Sequence, residues 1–196
     1  MSYRAILSRL SRNTLSVYAA FFVRKAAVLV LGIAIARVGG AAEFGLYCLA
    51  LFLLEFGIQV AVFGTDILLV REVSAASPLA DGFIRNALGW RFMVTIAIYP
   101  LLIAAAGLLS AGAGFRIAVA MMGLGMVADT LGDLYLSVVQ GRERVDLCAL
   151  AEGATSLVGL VLGLGAILGG YGLQGLAVAY SLRGVANLIL GLVLYH

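Results

Sequence analysis

Six long stretches of mostly apolar residues divide this chain, near 13–37, 44–68, 86–109, 116–140, 149–168 and 175–195. A helix needs about 20 such residues to cross the hydrocarbon core of a bilayer. Short clusters of turn-forming residues separate the stretches: Gly39-Gly40, Ser77-Pro78 with Asp81-Gly82, Ser110 to Gly114, Gly141-Arg142 and Gly169-Gly170. No long polar linker intervenes. The pattern predicts an all-α, polytopic membrane protein: one domain over residues 1–196, built as a bundle of six transmembrane helices.

The polar residues inside these stretches fall into stripes. At 100° per residue, Asn13 and Arg24 point the same way on the first helix, while the neighbouring Lys25 points about 100° away. Glu55, Gln59 and Asp66 share a face of the second helix, and Asp129, Asp133 and Gln140 share one of the fourth. Arg183 and Asn187 stand four residues apart on the sixth. Arg91 and Glu152 lie near the starts of the third and fifth. A charge at the centre of a membrane helix costs about 2.5–3.5 kcal/mol on insertion scales, so such residues usually face a hydrated interior. The stripes therefore predict a shared polar cavity. The alternative is a set of ion pairs that cancel inside a closed bundle, and Asp66, Arg91 and Glu152 fit that description best because end residues can snorkel.

Composition supports the membrane reading. The chain is 63% hydrophobic and 12% charged, with 25 glycines, against about 45–50% apolar and 25% charged for soluble domains. A soluble enzyme, a disordered tail and a nucleic-acid binder with a basic surface are excluded on that ground. The net charge of +3 does not require an anionic polymer as partner, because cytoplasmic Lys and Arg of membrane proteins give the same bias. Eight of the 13 Lys and Arg lie on the N-terminal tail, the second loop with the start of the third helix, and the fourth loop: Arg4, Arg9, Arg12, Arg71, Arg85, Arg91, Arg142 and Arg144. The opposite loops hold two, Arg37 and Arg116. Cytoplasmic loops collect such cations, so both termini are expected in the cytoplasm. Arg24, Lys25 and Arg183 lie within helices and do not bear on orientation.

Little else suggests chemistry. The N-terminal arginines before an apolar run resemble a signal peptide, but Arg24 and Lys25 interrupt the run, so a retained helix is expected. Cys48 and Cys148 fall at opposite faces of the predicted bundle, too far apart for a disulfide. Pro100 should kink the third helix. Gly159, Gly163, Gly165 and Gly169 give small-residue spacing that permits close helix packing. Gly163-Leu164-Gly165 has no preceding strand and is no dinucleotide loop. The only histidine is His196, and no hydrolase, P-loop or zinc motif occurs. The Asp129/Asp133 pair offers too few oxygens for Mg²⁺ or Ca²⁺. No enzyme activity, cofactor or metal site is expected.

One segment is more specific. The first hairpin reads Ala36-Arg37-Val38-Gly39-Gly40-Ala41-Ala42-Glu43-Phe44-Gly45-Leu46-Tyr47. Its order of Ala-Arg, Gly, Glu-Phe-Gly and Tyr resembles polysaccharide flippases, the Wzx-type (O-antigen) branch of the MATE/MOP exporter superfamily. Gly64 to Ser74 is similar to that family's end of the second helix, Gln140-Gly141-Arg142 to its loop after the fourth, and Gly170 to Ala177 to its start of the sixth. The resemblance covers nearly the whole chain.

The resemblance implies a function: moving a lipid-linked oligosaccharide, typically carried on undecaprenyl pyrophosphate, across the cytoplasmic (inner) membrane for surface polysaccharide biosynthesis. It implies that Arg24 lines a central cavity, with Lys25, Arg183 and Arg91 as further substrate-binding cations. It also implies coupling to an ion gradient, for which Glu55, Asp129 and Asp133 are the candidates. Members of that family carry two six-helix lobes, so this chain is expected to be the N-terminal lobe. A second lobe, from the same gene or a partner chain, is the expected partner, beside membrane lipids and polysaccharide polymerase or glycosyltransferases. Two other readings remain open: a cation-coupled drug antiporter of the MATE type, and a non-transporting membrane scaffold.

Overall fold

In a computed structural model of the chain, the backbone is described for all residues except 1, 2, 78, 110 and 111, and the side chains from Tyr18 onward apart from those positions. Pro78 and Ser110 of the expected turns therefore lie outside the described residues, as do the side chains of Arg4, Arg9, Arg12 and Asn13. Seven helices are present among the described residues: α1 Tyr3–Val38, α2 Gly40–Val62, α3 Thr65–Ser74, α4 Ala80–Leu109, α5 Ala113–Gly141, α6 Val145–Leu168 and α7 Gly172–Tyr195. Six of them, all but α3, are long and apolar enough to cross a membrane. The chain is a multi-pass helical membrane protein.

Five of the six expected spans are present, with longer ends. The second departs from expectation. The stretch expected as one helix over 44–68 breaks at Phe63 and Gly64, both left-handed, with φ of 36° and 77°. Glycine carries such a φ without a Cβ penalty. The Phe63 N–H closes on Gln59 O at 3.0 Å, and the Thr65 hydroxyl donates to Val62 O at 2.7 Å. Hydropathy alone runs through this break because Phe63, Ile67, Leu68 and Leu69 are all apolar. The ten-residue α3 that follows packs on α5 and α4.

α5 is the central element. It buries over half of its apolar window and packs most extensively on α7. Glycine makes that contact possible. A Cβ on Gly132 would stand 2.8 Å from the α7 backbone at Asn187 and Leu188, and one on Gly125 would stand 2.6 Å from Ser181 Cα. Gly184 and Gly191 answer from α7, each against the α5 backbone. Each pair is seven residues apart, two helical turns, so the two stripes face each other. The glycines of α6 serve a different neighbour: Gly163 makes room for Leu31 of α1, Gly159 receives the stem of Arg183, and Gly165 faces open space. α4 remains helical through Pro100.

Polar ties define the two ends. At the end holding the Gly39 turn, Glu43 Oε1 accepts the Leu173 N–H at 2.7 Å, and the Gln174 amide donates to Gly114 O at 2.9 Å. Glu43 thereby satisfies one of the free N–H groups that every helix start leaves unpaired. Ile35, Ile167 and Leu176 pack into an apolar plug beside it. At the other end, Arg142 donates to Tyr195 O at 2.8 Å and lies over the Tyr195 ring, while Ser74 donates to Gly141 O at 3.2 Å. α1 packs mainly along α6 and much less on α2. A cavity opens between the two.

Candidate functional site: a central polar cavity

The cavity has a volume of about 750 Å³. Its wall comes from α1, α2, α3, α5, α6 and α7; α4 contributes nothing to it. The stripes read from the sequence converge here. Arg24 and Lys25, Glu55 and Gln59, Asp129, Asp133 and Gln140, Glu152, and Arg183 with Asn187 all line it. Asp66 does too, although the break before α3 cancels the helical arithmetic that placed it with Glu55.

Arg91 is the exception. It was expected among the cavity cations but lies wholly buried away from the cavity. Its guanidinium is consumed inside the bundle. It ion-pairs with Asp66, donates from Nε and Nη2 to Thr65 Oγ1 at 3.2 and 3.0 Å, and donates from Nη1 to Thr130 O at 2.8 Å. Ser137 donates to the same Asp66 oxygen at 2.9 Å. A buried arginine needs this degree of satisfaction. The result is a clamp that holds α3 to α4 and α5 just past the Phe63–Gly64 break.

Arg183 has a committed partner as well. Its Nη2 donates to Asp129 Oδ2 at 2.8 Å, and its guanidinium lies 5.5 Å from the Tyr180 ring centre. Asn187 Nδ2 bridges the two carboxyl groups, reaching Asp129 Oδ1 at 2.9 Å and Asp133 Oδ1 at 2.8 Å. Positions 180, 183 and 187 share one face of α7, and 129 and 133 share one of α5, so the network crosses the glycine seam. Asp133 has no cationic partner among the described residues.

The α1 cations are held loosely. Arg24 Nη1 lies 3.9 Å from Glu152 Oε2, with both side chains about half exposed. Lys25 Nζ has no carboxylate within ion-pair distance among the described residues; it lies 5.4 Å from the Phe21 ring centre. Glu55 is likewise unpaired among them and exposed to the cavity. Counting the lining alone, three cations face five carboxyl groups. The wall carries both signs, with two cations on α1, one on α7 and carboxyl groups on α2, α3, α5 and α6.

Several uncharged polar residues also line the cavity that charge patterning does not single out: Tyr47, Ser137, Thr155, Ser156 and Tyr180. Helical spacing offered a signal for some of them. Tyr180 precedes Arg183 by three residues, and Ser156 follows Glu152 by four. Cys48 and Cys148 are free thiols, the latter buried on the cavity wall. Among the described residues, no three His, Cys, Asp or Glu side chains converge as a metal site. Comparison with known proteins returns no matching family model, curated protein or solved structure.

Proposed function

We propose that this chain is one lobe of a transporter that moves a lipid-linked oligosaccharide, of the undecaprenyl-pyrophosphate type, across the cytoplasmic membrane for surface polysaccharide synthesis. The observation that carries the reading is the Arg24–Lys25 pair at the cavity wall. Two cations at mid-helix are costly in a membrane, yet one is weakly paired and the other unpaired among the described residues. A diphosphate would supply the missing counter-charge through strong, charge-assisted hydrogen bonds. The apolar residues exposed on α1 outside the cavity lining, Phe22 and Leu29, suit a polyprenyl tail in the surrounding lipid. The resemblance of the first hairpin to Wzx-type flippases supports the same assignment.

In this reading the arginine-rich end faces the cytoplasm, because eight of the 13 cations gather there. Glu55 and Gln59 line the cavity yet remain exposed, so a second six-helix lobe would close that side. The test is genetic. Arg24→Ala in the producing cell abolishes surface polysaccharide while membrane levels of the protein hold. Normal polysaccharide in that strain removes the assignment.

The surplus of carboxyl groups favours a second reading, a cation-coupled antiporter of small cationic molecules. Drug resistance conferred by this chain and lost on Asp129→Asn, with surface polysaccharide intact, selects it over the first.

A further inference from the structure

The cavity wall holds charged groups beyond the two cations of α1. Pairing each cation with its nearest partner leaves a short remainder. Arg24 is matched by Glu152, Arg183 by Asp129, and Arg91, from outside the wall, matches Asp66. Lys25 on α1 remains, together with Glu55 on α2 and Asp133 on α5. One Asp133 oxygen accepts from Asn187. The other has no protein partner among the described residues and is not a buried orphan, so it is open to the cavity.

These groups share a level. Lys25, Glu55, Asp129 and Asn187 stand 14 to 16 residues from the turn or helix end at the Gly39 end of the bundle. At 1.5 Å per residue that is about 21–24 Å along each helix. Asp133 is one turn further along α5. A ligand whose anionic group rests on α1 therefore has its adjoining groups against Glu55 and Asp133, across the same section of the cavity.

We infer that the cavity selects glycans whose sugars next to the phosphate are neutral or amine-bearing, and discriminates against sugars with a carboxylate there. The inference rests on the proposed transport of lipid-linked oligosaccharides. Neutral sugar hydroxyls and amines donate to the free oxygens of Glu55 and Asp133. The carboxylate of a uronate accepts only, and places like charges in contact within a site whose α1 cations are taken up by the diphosphate. Such juxtaposition is a standard means of excluding a ligand.

The test uses the full chain in lipid nanodiscs and four probes: undecaprenyl diphosphate alone, and the same carrier bearing N-acetylglucosamine, glucosamine or glucuronate. The bare carrier binds. The two neutral or amine-bearing probes bind about tenfold tighter than the glucuronate probe. Glu55→Gln, which removes a negative charge that has no ion-pair partner among the described residues and so leaves the fold intact, reduces that preference to about threefold. Asp133→Asn acts in the same direction. Binding of the bare carrier with equal or tighter binding of the glucuronate probe overturns the selectivity and leaves the transport reading standing. Failure of the bare carrier to bind overturns both.

Discussion

Arg183 of α7 and Asp129 of α5 form a 2.8 Å ion pair across the glycine seam that joins the two most extensively packed helices of the bundle. Asn187 completes the pair on its other side and extends it to Asp133. The Asp129 side chain is nearly buried, whereas a third of the Arg183 side chain is exposed.

Removing one partner strands the other. Arg183→Met should leave the Asp129 carboxyl short of its cation and cost about 1.5–3 kcal/mol of stability, the range for a hydrogen bond to a charged group. The double variant Arg183→Met/Asp129→Leu should recover more than half of that, since both polar partners are then gone. Thermal unfolding in detergent checks this. A double variant less stable than the single one would show that the pair does not hold the seam in this way.

Arg91 should be the more sensitive arginine. It is wholly buried with four polar contacts to three residues, and Arg91→Leu leaves Asp66 without its cation. We expect a loss of about 3–5 kcal/mol, the range for breaking a buried pair, seen as a sharp fall in folded protein after membrane extraction. Wild-type stability in this variant would mean that α3 is held by its apolar contacts alone.

The glycine seam gives a prediction of space. Gly132→Ala places a methyl group 2.8 Å from the α7 backbone, which cannot yield as a side chain would. Overpacking of this kind costs about 1–3 kcal/mol. Gly165→Ala meets nothing within 4 Å and should be neutral or slightly stabilising, because alanine is the better helix former. Melting temperatures of the two variants measured side by side decide the point. Equal effects would contradict the seam.

Much of this organisation was legible in the sequence. The six spans follow from apolar length, and the stripes of Glu55 with Gln59, Asp129 with Asp133, and Arg183 with Asn187 follow from helical spacing. Periodicity places a residue on a face, however, and does not say what that face meets. Arg91 lies on α4, and α4 packs outside the cavity, so its charge is answered within the bundle. The Phe63–Gly64 break was hidden because a left-handed turn leaves no trace in hydropathy. Its one cue is Gly64 followed by Thr65 and Asp66, a stop for one helix and a start for the next. The glycine spacing that stood out on α6 accommodates α1 and the Arg183 stem. The tighter seam used Gly125, Gly132, Gly184 and Gly191, whose seven-residue intervals become informative only once α5 and α7 are known to be neighbours.

Under the proposed function, Arg24 and Lys25 are present to hold an anion, not to stabilise the bundle. Their packing agrees with this: a 3.9 Å pair between half-exposed groups contributes at most about 1 kcal/mol. The direct measurement is the affinity of undecaprenyl diphosphate for the chain in nanodiscs, set beside thermal unfolding of the same samples. Arg24→Gln/Lys25→Gln should bind it about tenfold more weakly or worse, as expected for losing charge-assisted hydrogen bonds, with unfolding unchanged. Unchanged affinity, or weaker binding accompanied by equal loss of stability, would contradict that role.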